Sequence, residues 1–363
     1  MKIPKIGQGT GHKGDDALTF NEDLHSIVDN IRFGIEMGLT FIDTAEIYCE
    51  GRSEIAVGVA TKHIRNEVII ASKFSPSNHQ RKNLLVSIKN SLDRLQTDYL
   101  DLYQIHWPNE RVPLEETLMT MFDLQDEGII REVGLCNFNK SQLSRAIALA
   151  SERNSRIFSN QIKFSLIDQY AYRQIHSVCK EREIKIIAYS PIRSLLRQDN
   201  KRSDLLERYS LQTGFSPAQI ALKWVVHHEG VSTIPESSKI ERISEFASVE
   251  KLQLDKEILE SLSVLFENIT KNVSVSLIRS QNVARAGAVR DLSQREIAKF
   301  ANDFTPSIID LASEIEAGNF LQPLLIRVHP EESNLYQIVE GELRYWAFVY
   351  CFGANSKVPV IVL

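Results

Sequence analysis

Four cysteines in 363 residues are too few and too scattered to staple this chain. Cys49, Cys136, Cys179 and Cys351 form no C-x-x-C pair, which argues against a disulfide frame and a cysteine zinc site, and no metal site is expected. Widely spaced thiols fit a reduced, cytoplasmic protein. No apolar run reaches the roughly 18 residues of a membrane span, so none is expected. The opening MKIPKIGQGTGHKG lacks the apolar stretch of a secretory signal. Neither sign of charge dominates: 42 Lys and Arg against 47 Asp and Glu give −5, which leaves no bulk basic footprint for nucleic acid or membrane. Repeats and low-complexity tracts are also missing. What is present is 43% hydrophobic and 25% charged residues, the composition of an ordinary globular protein, on a chain long enough for two domains.

Short apolar runs alternate with helical patterns up to about residue 265. The expected strands are 5–9, 40–43, 67–73, 100–106, 132–136, 157–161, 184–190 and 232–235. NLLVSIKNSLDRL sets Leu84, Leu85, Ile88, Leu92 and Leu95 on one helical face. FSPAQIALKWVV opens with Ser216 as N-cap, Pro217 in the first turn and Gln219 as capping-box partner. Eight strands, most followed by a helix, suggest a (β/α)8 TIM barrel over 1–266, with an open doubly wound sheet as the competitor. A polar linker, ENITKN, is expected at 267–272. A small α+β domain is expected at 273–363, with strands in VSVSLI, QPLLIRV, YQIVEG and VPVIVL. Helices are expected in LSQREIAKFANDF, PSIIDLASEIEAGNF (ending near Gly318) and ELRYWAFVYCFG.

In a barrel the reactive groups collect at the C-terminal strand ends. There the sequence offers Asp43 with Tyr48 just beyond, then Lys73, His106, Cys136 with Asn137, Gln161, and Tyr189 with Ser190. Any one alone reads as a capped strand end or a satisfied polar residue. A lysine ending an apolar strand is costly unless paired, and Asp43 is the obvious partner. An ammonium beside Tyr48 favours the phenolate and is expected to lower the phenol pKa from about 10. His106 could orient a substrate oxygen. The set suits a tyrosine that protonates a carbonyl oxygen while a hydride, which no side chain can supply, arrives from a cofactor.

FIDTAEIY, IIASKF, DLYQIHW, EVGLCNF, NQIKFSL, IIAYSPI and STIPESSKIER together resemble the aldo-keto reductases, in that family's order and spacing. The resemblance implies a catalytic tetrad of Asp43, Tyr48, Lys73 and His106, and NADP(H) at the strand ends. It implies that Asn137 and Gln161 bind the nicotinamide carboxamide, that Tyr189 stacks on the ring, and that Ser190 lies near the pyrophosphate. Thr10 is placed with the cofactor-binding residues, and Ser237 and Arg242 with the adenosine phosphate. Two departures stand out. Cys136 replaces a serine, and sulfur is a weak hydrogen-bond partner. Glu236 replaces a lysine that meets the 2′-phosphate, which narrows the preference for NADP(H) and brings NAD(H) into play. The expected substrate is a small carbonyl compound or alcohol. An NADP(H)-binding redox sensor or scaffold with little turnover is the alternative.

SLIRSQNVARAG, LASEIEAGNFLQPLLIRV, YQIVEGELRYWAF and VPVIVL resemble the N-terminal domain of ParB-type proteins, a fold shared with sulfiredoxins. The resemblance implies a phosphate or nucleotide site at Gly341, Glu342 and Arg344, where glycine leads into a helix N-terminus. Leu343 and Trp346 replace two basic positions of that motif, and Glu342 stands where sulfiredoxins carry cysteine. A packing or self-association role is therefore the first expectation, nucleotide binding or phosphotransfer the second, and direct DNA binding the last.

Overall fold

The computed structural model describes residues 1–11, 24–192, 201–265, 271–279, 308–316, 323–353, 356–362. The chain divides into two compact units, Met1–Glu267 and Asn268–Leu363.

In the first unit eight parallel strands follow one another in sequence order: β1 (Gln8–Gly9), β2 (Phe41–Asp43), β3 (Ile69–Phe74), β4 (Leu100–Ile105), β5 (Ile130–Cys136), β6 (Ser159–Lys163), β7 (Lys185–Tyr189) and β8 (Val231–Thr233). The sheet curls back on itself. Ile6 bridges Thr233 in parallel, Gly7 N donates to Thr233 O at 2.8 Å, and Thr233 N donates to Lys5 O at 2.8 Å. The arrangement is the (β/α)8 barrel, and sequential strand order excludes the doubly wound alternative. The barrel interior is packed rather than hollow: Phe41, Ala71, Leu102 and Ile187 are fully buried in one apolar cluster.

Helices cover the outside: α1 (Leu24–Glu36), α2 (Arg52–Thr61), α3 (Arg81–Leu95), α4 (Leu114–Asp126), α5 (Lys140–Glu152), α6 (Tyr170–Glu181), α7 (Lys201–Thr213), α8 (Pro217–His227), α9 (Ile240–Ser248) and α10 (Lys256–Leu265). The capping box of α8 forms as the sequence predicts, with Gln219 N on Ser216 Oγ at 3.2 Å and Ser216 N on Gln219 Oε1 at 2.8 Å. The face of α3 differs from expectation. Leu84, Ile88 and Leu95 are buried, but Leu85 is exposed, and Ser87 and Ser91 take the remaining inward positions. Ser87 meets Glu46 and Tyr103 beneath the helix, and Ser91 Oγ accepts from Arg94 one turn further along the same helix. Helix α10 docks on the barrel's own helices. Ile258, Leu259 and Leu262 are buried, Trp224 Nε1 donates to Ser263 Oγ at 2.8 Å, and Tyr209 and Ser261 share a hydroxyl hydrogen bond.

Among its described residues the second unit has a five-stranded mixed sheet in the order β10-β12-β11-β13-β9 and two helices that pack on each other. The strands are β9 (Lys271–Ser274), β10 (Ile278–Arg279), β11 (Leu324–Val328), β12 (Tyr336–Glu340) and β13 (Lys357–Val362); the helices are α11 (Ile308–Glu316) and α12 (Glu342–Phe352). It has its own core, including Val275, Ile278, Leu311, Leu324, Ile326, Tyr345, Ala347, Val358 and Val360. Lys271 and Asn272, expected in the linker, already pair with Val360 and Pro359 as the start of β9. VSVSLI, expected as one strand, is broken by a 3-10 turn at Val275–Leu277, so its halves sit on opposite edges of the sheet. The helix expected in LSQREIAKFANDF and the end near Gly318 lie outside the described residues.

Candidate active site

Strand alternation turns Asp43, Lys73 and Gln161 toward the barrel interior, where they are 1%, 0% and 2% exposed. Lys73 Nζ donates to Asp43 Oδ2 at 2.6 Å, to the Thr44 carbonyl at 2.9 Å and to the Tyr48 hydroxyl oxygen at 3.3 Å. Its three protons thus have three acceptors, the requirement for a fully buried ammonium. The other oxygen of Asp43 accepts from Gln161 Nε2 at 2.7 Å and from Gln104 Nε2 at 3.4 Å. Since Lys73 donates to the phenol oxygen, the phenol's own proton is directed elsewhere. The Tyr48 ring meets His106 edge to face, with centroids 5.6 Å apart.

The electrostatics correct one expectation. Burial raises the Tyr48 pKa well above its ordinary value; the Lys73 charge opposes this, and the Asp43 charge adds to the rise. Tyr48 therefore holds its proton throughout the neutral range. Burial also pulls on the Lys73 ammonium, but the Asp43 charge acts against it, and the net shift is upward. Lys73 stays charged. The pair is set up as a neutral acid beside a permanent cation.

A second ring of groups follows around the strand ends. Asn137 has positive φ (64°), and its Nδ2 donates to the His106 carbonyl at 3.1 Å and to Cys136 Sγ at 3.2 Å. Cys136 Sγ reaches Gln161 Oε1 at 3.6 Å, so the thiol holds a link in this chain of contacts. Burial pushes that thiol up, against the pull of Lys73, and keeps it protonated. The Tyr189 hydroxyl donates to Asn137 Oδ1 at 2.9 Å. Ser190 follows with φ of 51° at the end of β7. Thr10 crosses from β1 to β2, with its N and Oγ1 both on the Asp43 carbonyl at 2.9 and 3.0 Å. Ser237 lines a small cavity of about 30 Å³ together with Gly9, Thr10, Asn30 and Glu236. Arg242 lies in the first turn of α9, the helix whose Ile243 and Phe246 line the same cavity. In the other unit, Gly341 opens α12 in the left-handed region (φ 106°). Arg344 Nη1 donates to Pro323 O at 3.1 Å, and Glu342 Oε1 accepts from Trp346 Nε1 at 3.2 Å.

The sequence did not single out Gly11. A Cβ there would lie 2.8 Å from Cε2 and Cζ of Tyr48 and 3.1 Å from its hydroxyl, so the tyrosine ring rests directly on that backbone. Gln104, the third group on Asp43, also passed unnoticed, since a glutamine inside an apolar strand carries no spacing signal.

Comparison with known proteins identifies the family. Residues 5–265 match the aldo/keto reductase family. The chain is 31% identical to methylglyoxal reductase YeaE of Escherichia coli over 264 residues, which span 72% of this chain and 90% of that protein. It is 31% identical to the glyoxal reductase of Bacillus subtilis over 247 residues, 67% of this chain and 85% of the relative. Among solved structures, an aldo/keto reductase from Klebsiella pneumoniae in complex with NADP and acetate superposes with a TM-score of 0.66 at 32% identity, covering 73% of this chain and 92% of that one. A thermostable aldo-keto reductase bound to the inhibitor epalrestat gives 0.67 at 34% identity, covering 72% and 95%. By fold, strand-end chemistry and sequence alike, the chain belongs to the aldo/keto reductase family.

Proposed function

We propose that the barrel reduces a small aldehyde or ketone, and oxidises the corresponding alcohol in reverse, with NADP(H) as cofactor and Tyr48 as proton donor. The observation that carries this reading is the placement of Lys73 Nζ between Asp43 Oδ2 and the Tyr48 hydroxyl. Bound NADPH supplies the hydride. Tyr48, kept neutral by burial, gives its proton to the substrate oxygen as charge develops there, and Lys73 then stabilises the phenolate left behind. Asp43 holds the lysine in place, and His106 orients the carbonyl oxygen.

The donor set suits the cofactor. Asn137 and Gln161 present side-chain amides complementary to a carboxamide, and Tyr189 offers a ring face at the strand end. Ser190 and Thr10 belong to the same binding edge, with Ser237 and Arg242 for the adenosine phosphate. Glu236 is exposed beside them and leaves NAD(H) as second cofactor. The names of the relatives, methylglyoxal and glyoxal reductases, favour a small dicarbonyl substrate. Turnover is favoured over a sensing or scaffold role, because a buried ion pair is a poor source of stability and is better accounted for by chemistry.

We assign residues 1–266 as the catalytic domain and 273–363 as an accessory ParB-like module. Glu342 and Arg344 are engaged inside their own unit, which supports packing over nucleotide binding. Four free thiols and the lack, among the described residues, of a helix able to cross a membrane support a cytoplasmic setting.

Tyr48→Phe tests the central assignment. Reduction of methylglyoxal should fall by at least about a hundredfold, the scale of a positioned acid, while NADPH titration gives an unchanged affinity. A variant that turns over at the wild-type rate would remove Tyr48 from the role of donor.

A further inference from the structure

The turn that carries Tyr48 is unusual. Cys49 (φ 48°, ψ 42°), Glu50 (φ 56°, ψ 37°) and Gly51 (φ 87°, ψ −6°) are left-handed in succession. L-residues visit this region singly, and two of these three carry a Cβ, so the run needs something to hold it. The strain is placed directly after the proton donor and directly before α2.

A buried network lies against the turn. Arg94, from the last turn of α3, runs along Gly51 so closely that a Cβ there would be 2.8 Å from Arg94 Cδ and 3.0 Å from Nε. Arg94 Nε donates to Glu54 Oε2 at 2.7 Å, and Nη2 donates to Ser91 Oγ at 3.3 Å. Glu54, in the first turn of α2, is fully buried, and its other oxygen accepts from Ser72 Oγ at 2.5 Å. Ser72 immediately precedes Lys73 on β3 and points to the opposite face of the sheet. One carboxylate thus ties three things together: the helix that starts at the strained turn, the arginine packed against that turn, and the strand that carries the lysine. On the other side, Ser53 Oγ donates to the Thr10 carbonyl at 3.0 Å, next to the Gly11 backbone on which the Tyr48 ring rests.

We propose that Glu54 and Arg94 are positioning residues for Tyr48: their ion pair, anchored on Ser72, holds the left-handed turn 49–51 and so fixes the donor's hydroxyl against Lys73. Neither side chain is placed at substrate or cofactor; both act through the backbone. The inference rests on Tyr48 being the donor.

The test begins with Glu54→Gln, which keeps the shape but removes the charge that faces the arginine. kcat should fall roughly ten- to a hundredfold, the scale expected when a reacting group moves by about 1 Å. NADPH affinity should stay within about twofold, and the alkaline limb of the kcat profile, which reports the donor's proton, should shift. Glu50→Gly in the same background should restore several-fold of the lost kcat, because glycine adopts the left-handed turn without a Cβ penalty. A general packing defect would not respond to that second change. If Glu54→Gln does not fold, Arg94→Lys takes its place, since that side chain is 26% exposed and its replacement leaves the buried carboxylate a cation. A wild-type kcat in the variant overturns the proposal. So does a loss of kcat that Glu50→Gly leaves untouched while melting temperature and NADPH affinity fall in parallel. Inactive Tyr48→Phe together with fully active Glu54→Gln would reject this inference alone; an active Tyr48→Phe would reject the reading beneath it.

Discussion

The residues proposed to act at the strand ends could be read from the sequence because each stands at the end of an apolar run. Asp43, Lys73 and His106 are polar groups where a barrel strand finishes, and a lysine there demands a partner. The state of Tyr48 could not be read in the same way. A neighbouring cation lowers a phenol pKa and burial raises it, and only the packed structure shows that burial wins. Gly11, Glu54 and Arg94 were hidden for a different reason: their partners are far away in sequence, with Arg94 and Glu54 40 residues apart. Glu236 is the departure that the sequence does expose. It sits at the β8–α9 junction beside Ser237 and the cavity shared with Thr10. If the 2′-phosphate lies there, Glu236→Lys exchanges a repulsion for an attraction between exposed charges. The ratio of NADPH to NADH affinity should rise several-fold, up to about thirtyfold, at low ionic strength, and less as salt is added. Paired titrations of the two nucleotides on both proteins measure this, and an unchanged ratio would place Glu236 away from the phosphate.

Elements were legible where their signal is local. The capping box of α8 names both partners within four residues, and β3 to β7 are apolar runs long enough to stand out. The break in VSVSLI was not legible, because Val275 and Ile278 are both buried and the alternation reads the same either way. Which edge each half joins is decided by β13 on one side and β12 on the other. The join of α3, α4 and the segment after β4 likewise depends on a distant contact. His79, just before α3, is 1% exposed; its Nε2 donates to the Trp107 carbonyl at 3.0 Å, and Thr117 Oγ1 of α4 donates to the His79 carbonyl at 3.1 Å. Burial pulls the His79 pKa down from 6.5 to about 4, and the bond to Trp107 opposes it. In the unfolded chain this imidazole protonates near 6.5, whereas in the folded one it stays neutral to about 4. The unfolded state therefore binds the extra proton throughout that window. Stability is fully present above pH 6.5 and is lost as pH falls toward 4, by roughly 3 kcal/mol from this group. In urea melts at stepped pH, the gap between the wild type and His79→Gln should narrow as pH drops from 6.5 to 4. A constant gap would mean that His79 titrates alike in both states.

At the scale of the molecule, strand count and order identify the barrel, and the change of pattern after residue 265 marks a second unit. Both readings come from the alternation of short apolar runs with helices, which survives errors of a few residues at every boundary. What a boundary hides is which unit an element between them serves. DKEILESLSVLF could have buried its apolar face on either side. In the structure its helix, α10, gives Ile258, Leu259 and Leu262 to the interior of the first unit and bonds Trp224 and Tyr209 through Ser263 and Ser261. The second unit fills its own core with residues from Val275 onward. A chain ending at Phe266 therefore keeps every strand of the barrel, all four residues of the proposed tetrad and helix α10. It should express as a folded protein with a cooperative melt, bind NADPH, and reduce methylglyoxal with kcat/KM within about threefold of the full chain, since each unit fills a core of its own. Circular dichroism melts and steady-state assays on the two lengths measure this. A truncated chain that melts normally and binds NADPH but does not turn over would assign residues 267–363 a part in building the active site, and the division into catalytic and accessory domains would fall.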